Sequence, residues 1–138
     1  METFRTLVLV LVLGFVALSI GLQVLARRKA ARLVGQALPP LPGTTGRKVQ
    51  RLERGLLYFF TPQCGACRPI TPRIKALAAA GQPVFAVDAT QDPELARALS
   101  VMATPTLVEV GGGRVLGVTV GPPPAALWAR YGAAAGQA

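Results

Sequence analysis

Leu56-Leu57-Tyr58-Phe59-Phe60-Thr61-Pro62-Gln63-Cys64-Gly65-Ala66-Cys67-Arg68-Pro69 is the stretch on which the reading of this chain turns. Its first five residues form a short, continuous apolar run between Gly55 and Pro62, which fits a strand covered on both faces. Beyond it, Ile70, Ile74, Leu77 and Ala78 recur at helical spacing within Gly65 to Ala80, and Gly81 stands where the residue after a helix C-terminus belongs. A buried strand is therefore predicted to lead through a cysteine pair into a helix.

That junction gives the two sulfurs different chemistry. The unpaired N–H groups and positive dipole end of a helix N-terminus favour thiolate over thiol, and Arg68 adds a nearby positive charge. Cys64 is expected to be the accessible nucleophile and Cys67, one turn in and more buried, the resolving thiol. The spacer Gly65-Ala66 puts the sulfurs within bonding distance, so a mixed disulfide on Cys64 can be displaced by Cys67.

Other readings of the pair are weaker. A structural disulfide usually closes a longer loop, because a tiny loop removes little unfolded-state entropy. A zinc or copper site needs about four ligands, and these are the only two cysteines in 138 residues that contain no histidine. Coincidence is opposed by the strand–CxxC–helix context. No metal and no cofactor are expected.

Working outward, Pro83-Val84-Phe85-Ala86-Val87 reads as a second buried strand. Asp92-Pro93-Glu94 opens a short helix to Leu99, with an N-cap aspartate and a proline at the first helical position. Thr106 to Val110 and Arg114 to Val120, joined by Gly111-Gly112-Gly113, give a hairpin signal. Ala125 to Tyr131 can form a last helix with Leu127 and Trp128 turned inward, and the alanine-rich tail after Tyr131 reads as a frayed end. The order β-α-β-α-β-β-α implies an α/β fold, a mixed central sheet with helices on both faces.

With these residues in place, Gly55 to Trp128 resembles the thioredoxin family. Phe59 to Pro69 is similar to its strand-to-active-site segment, and Pro72 matches the proline that kinks its active-site helix. Val87-Asp88 and Ala103-Thr104-Pro105-Thr106-Leu107 resemble its next strand and its cis-proline loop, and Gly121 its late glycine. The resemblance implies a cis Thr104–Pro105 bond, with Pro105 beside the cysteines and the Thr104 backbone offering strand-like hydrogen bonds to a substrate chain. It also implies protein thiols and disulfides as substrates and a redox recycling partner. Two positions depart from the family pattern. Tyr58 stands where the family has a buried aspartate that assists the resolving cysteine, and Gln63 where it has a tryptophan. A minimal version of the fold is expected, with Val49-Gln50-Arg51-Leu52 as a remnant helix.

Upstream, Gln36 to Gly46 carries three prolines and two glycines in eleven residues and reads as a semi-extended spacer. Before it, Thr6 to Ala26 contains no charge and is long enough, at ~1.5 Å per helical residue, to cross a ~30 Å hydrocarbon core. Val24-Leu25-Ala26 resembles a signal-cleavage site, but signal cores usually run to ~7–15 residues, so an uncleaved single-pass anchor is expected. The predicted division is an anchor with its basic flank over 1–34, a linker over 35–48, a thioredoxin-like domain over 49–132 and a flexible tail over 133–138.

Two arguments about orientation conflict. Arg27, Arg28, Lys29 and Arg32 follow the apolar run while only Arg5 precedes it, which points the domain into the cytoplasm. Anchored proteins of the resembled type usually carry the catalytic domain outside it, where disulfides persist, and an extracytoplasmic domain is expected. The formal charge is +9, yet from Arg47 onward ten Lys and Arg face five Asp and Glu, scattered and without a nucleic-acid motif. The basic surface suits solvent and anionic lipid rather than nucleic acid. The expected molecule is a monomeric, membrane-tethered thiol–disulfide oxidoreductase. The alternative is a non-catalytic binding module whose cysteine pair is only a staple.

Overall fold

The computed structural model of the chain describes residues 1–132, so the tail expected to be flexible lies outside the described residues. In order, its elements are α1 (Glu2–Leu33), α2 (Gly43–Gln50), β1 (Gly55–Phe60), a 3-10 turn (Gly65–Cys67), α3 (Thr71–Ala79), β2 (Val84–Asp88), α4 (Pro93–Ala98), β3 (Thr106–Gly111), β4 (Arg114–Val120) and α5 (Ala125–Gly132). The strands make one sheet in the order β2-β1-β3-β4. β1 runs parallel to β2 and antiparallel to β3, and β3 runs antiparallel to β4.

The apolar run of β1 has the cause the sequence suggests. Successive side chains on a strand point to opposite faces, and here both faces are covered. Leu57 and Phe59 join Val49, Leu95, Leu99 and Val108 on one side. Leu56 and Tyr58 join Ile70, Ile74, Leu107 and Leu127 on the other. All four β1 side chains are fully buried, and each apolar side chain of this size contributes roughly 1.5–3 kcal/mol when removed from water. Helices α2 and α4 cover the first face, and α3 and α5 the second.

Turn chemistry sets the remaining connections. The β3–β4 hairpin closes through Gly112-Gly113, both at positive φ (57° and 72°), the two-residue turn whose twist matches the flanking strands. Asp92 caps α4, its carboxylate accepting the Leu95 amide at 3.2 Å. At the end of α3 the Gly81 amide donates to Ala78 O and the Gln82 amide to Leu77 O, both at 3.1 Å, satisfying carbonyls the helix leaves open.

Three details differ from the sequence-based expectation. The helix predicted across Gly65 to Ala80 is two pieces: proline lacks an amide, so Pro69 cannot continue the ladder, and α3 begins only at Thr71 with Pro72 in its first turn. The expected spacer is not a free strap. Gly43–Gln50 is helical, and Ala37 bridges Arg114, with the Gly35 amide donating to Val115 O at 2.7 Å and the Leu38 amide to Gly113 O at 2.8 Å. Trp128 is only half-buried, whereas Leu127 beside it is fully enclosed. The Arg73 guanidinium lies 3.9 Å above the Trp128 ring and covers its outer side.

Candidate active site

The site forms where β1 ends. After Phe60 the chain turns through Thr61-Pro62-Gln63, and the Cys64 amide donates back to Thr61 O at 3.1 Å. Cys64 then caps the 3-10 turn in an extended conformation (φ −71°, ψ 105°), and the Cys67 amide donates to Cys64 O at 3.2 Å. This one turn brings the two Cα atoms to 5.3 Å, and the sulfurs are joined as a disulfide. Because Cys64 begins a three-residue turn and not the predicted long helix, the dipole of α3 does not start at its sulfur.

The two cysteines differ in exposure. Cys64 is half-buried, while Cys67 is 2% exposed and packs with Ile70, Ile74 and Tyr58. An open groove of about 370 Å³ runs past them, walled by Phe60, Pro62, Thr71 and Pro72 and rimmed by Arg68 and Lys75. Gly65, Ala66 and Arg68 are all exposed on the turn.

The Thr104–Pro105 peptide bond is cis. Its place follows from strand register: Phe59 pairs with Thr106, so the residues just before β3 lie beside the end of β1 from which the cysteine turn departs. Pro105 is buried and Thr104 half-exposed; the Gly121 amide donates to Pro105 O at 2.9 Å and the Thr106 hydroxyl to Ala103 O at 2.6 Å. The loop is thereby fixed from β4 and from within.

Behind Cys67 the structure supplies something the sequence reading missed. Thr71 Oγ1 donates to Cys67 O at 3.0 Å, and the Tyr58 hydroxyl lies 2.9 Å from Thr71 Oγ1 and donates to the same carbonyl at 3.3 Å. Burial pushes the Tyr58 phenol above its ordinary pKa, and the adjoining Thr71 hydroxyl, which can turn its proton to the phenol oxygen instead of the carbonyl, offsets part of that rise. The signal for Thr71 was its position four residues after Cys67, within reach of an i−4 carbonyl. Tyr58 comes from another element and had no local signal.

A buried–accessible cysteine pair, joined across one turn at the end of a central strand, with a cis-proline loop leading into the strand alongside, defines a thiol–disulfide oxidoreductase. Comparison with known proteins agrees. The thioredoxin family model matches residues 46–130, and the chain belongs to the thioredoxin family. It is 35% identical over 79 residues to a thioredoxin of Streptomyces clavuligerus, spanning 56% of this chain and 74% of that one. Among solved structures it is similar to Fasciola hepatica thioredoxin, at 30% identity and TM-score 0.51 over 59% of this chain and 80% of that one. It is also similar to oxidised mitochondrial thioredoxin 3 of Saccharomyces cerevisiae, at 26% identity and TM-score 0.51 over 63% and 84%. These matches fit the thioredoxin-like fold of the mixed sheet. They do not account for α1, whose apolar window has a mean hydropathy of 2.7 with none of it buried, the character of a membrane span or a signal sequence.

Proposed function

We propose that this chain is a membrane-tethered oxidoreductase that exchanges disulfides with protein substrates through Cys64, with Cys67 as the resolving thiol. The observation that carries the proposal is the asymmetry of exposure across the Cys64–Cys67 disulfide at the edge of an open groove. In the oxidising direction a substrate thiolate attacks Cys64 Sγ, a mixed disulfide forms, and Cys67 leaves as thiolate. A second substrate thiol then displaces Cys64, so two electrons and two protons pass to the protein and the substrate gains a disulfide. The reducing direction is the same sequence reversed, and a recycling dithiol or disulfide protein restores the starting state. Thr104 and Pro105 border the substrate chain, Thr104 through its backbone.

The uncleaved α1 is the tether, a reading supported by its long, apolar and unburied window and by the packing of Ala30, beyond that window, against the domain. The domain is assigned to the extracytoplasmic side, where disulfides persist, against the basic count after the span.

The test is trapping. Cys67→Ser should accumulate mixed disulfides with its substrates, and Cys64→Ser should accumulate none and lose turnover. Turnover retained by Cys64→Ser would overturn the assignment. Labelling with a membrane-impermeant thiol reagent on intact cells reads the side: protection of reduced Cys64 until lysis would put the domain in the cytoplasm.

A further inference from the structure

The last turns of α1 do not stand clear of the domain. Ala26, Ala30 and Leu33 share one helix face and line a small recess together with Ala103, Thr106 and Val120. Past the helix, the Gly35 and Leu38 amides bond to Val115 and Gly113. Ala26 is therefore level with the end of β4, and Gly35 to Leu38 with its beginning. Helix α1 runs counter to β4, so the apolar span before Ala26 projects beyond the end of the sheet at which β4 finishes.

The redox chemistry is at that same end. Thr106 pairs with Val120 and with Phe59, which puts the start of β3, the end of β4 and the end of β1 side by side. The Thr104–Pro105 loop and the Cys64–Cys67 turn extend from these strand ends toward the side from which the span leaves.

The flank of the domain that α1 covers just past Ala26 has the character of a lipid contact. Met102, in the loop between α4 and β3, is 66% exposed. Beside it lies a recess of about 400 Å³ bordered by Lys29, Arg32 and Arg97, with Arg27 and Arg28 exposed on the adjoining turn of α1. An exposed apolar side chain beside a recess bordered by three cations, at the foot of a hydrophobic helix, matches the boundary between acyl chains and anionic headgroups.

We infer that α1 holds the domain with its redox-active edge turned toward the bilayer, Met102 at the lipid surface and the neighbouring cations among anionic headgroups. The thiols and disulfides it exchanges with then lie at headgroup depth, in juxtamembrane segments of membrane-bound proteins. This inference rests on the reading of α1 as an uncleaved anchor.

Depth-dependent fluorescence quenching tests it on the full chain. In a Trp128→Phe background, which removes the single tryptophan, one tryptophan is introduced as Leu22→Trp in the span, Met102→Trp in the loop or Ala80→Trp at the far end of the sheet. Each protein is placed in phosphatidylcholine–phosphatidylglycerol vesicles whose acyl chains are brominated near the headgroup. Quenching at positions 22 and 102 with position 80 unaffected is the expected result. Quenching at 22 without quenching at 102 overturns the inference and leaves the anchor standing, and equal quenching at 80 and 102 overturns the orientation. Failure to quench position 22 overturns the anchor reading itself, and the inference with it.

Discussion

The Tyr58 hydroxyl and Thr71 Oγ1 lie 2.9 Å apart, and both reach the Cys67 carbonyl oxygen, at 3.3 and 3.0 Å. One carbonyl thus ties the turn that carries the buried sulfur to the central strand β1 and to the first turn of α3. Neither hydroxyl needs to ionise for this, and burial raises the phenol's pKa above its ordinary value. The pair fixes the position of Cys67 without a charge in the core.

Removing either hydroxyl should loosen that tie unequally. In Tyr58→Phe the ring remains and Thr71 still satisfies the carbonyl, so the expected loss is about 1 kcal/mol, the net contribution of one hydrogen bond. In Thr71→Val the shorter bond is lost and Tyr58 keeps only the longer one, so the loss should be larger, about 1–3 kcal/mol. The two changes share one acceptor and should not be additive, coupling by about 0.5 kcal/mol or more. Urea unfolding of the oxidised single and double variants measures all three values, and strict additivity would mean that the hydroxyls do not act together.

Tyr131 gives a pH signature. It is almost fully enclosed, and burial, reinforced by the Glu109 carboxylate, pushes its phenol up to about 12. Its hydroxyl donates to Gly55 O at 3.3 Å and to Glu109 Oε1 at 3.4 Å. The folded pKa lies above the ordinary value of about 10, so the folded state favours the protonated phenol. The stability this contributes is complete below pH ~10 and is lost as pH rises from there toward ~12, because the unfolded chain releases its proton first. With Tyr58 also raised, an absorbance titration of native protein should show less phenolate at pH ~10 than two free tyrosines would give. Glu109→Gln should move the Tyr131 wave downward. A full tyrosine signal near the ordinary pKa would contradict the burial of both rings.

How much of this was legible beforehand depends on whether the determinant is local. A strand buried on both faces must be apolar at every position, so Leu56 to Phe60 announced β1, and Cys64 to Cys67 announced the redox turn. Asp92-Pro93 and Gly112-Gly113 encode a cap and a turn within a few residues, and both were readable. The cis bond at Thr104–Pro105 came through family resemblance, since no local rule distinguishes it from an ordinary proline. The Tyr58–Thr71 pair was invisible because it joins two elements, and the helix across Gly65 to Ala80 was overextended because Ile70 and Ile74 keep helical spacing through Pro69 and Pro72. The docking of Ala26, Ala30 and Leu33 on the domain was hidden for another reason: a face of small and apolar residues looks the same whether it meets lipid or protein.

The contact between Arg73 and Trp128 is a second link between elements, here α3 and α5. The guanidinium stands 3.9 Å above the ring centroid on a partly solvated surface, an arrangement that contributes about 0.5–1 kcal/mol at exposed sites. Arg73→Ala should cost about that much and shift the emission of the only tryptophan to longer wavelength as water reaches the ring. Arg73→Lys should recover part of the stability but less of the shielding, because the planar group stacks and the ammonium does not. Unchanged emission in Arg73→Ala would mean that the stack does not persist in solution.

Helix α2 forms against its own composition, and that makes it a test of tertiary control. Gly43-Thr44-Thr45-Gly46 supplies two glycines and two β-branched residues, all poor helix formers. What holds the helix is packing: Val49 is 1% exposed within the core that includes Leu57 and Leu95, and Gly46 is buried against Leu41. A Cβ on Gly46 would meet the Leu41 backbone at 2.8 Å, closer than carbon and carbonyl tolerate. Gly46→Ala should therefore destabilise by about 1–3 kcal/mol through overpacking, although alanine is the better helix former by about 1 kcal/mol. Thr44→Ala, on an exposed position of the same helix, should instead be neutral or slightly stabilising. Thermal unfolding of the two variants decides between propensity and packing, since a stabilised Gly46→Ala would show that the Leu41 segment gives way and that α2 is not held against it.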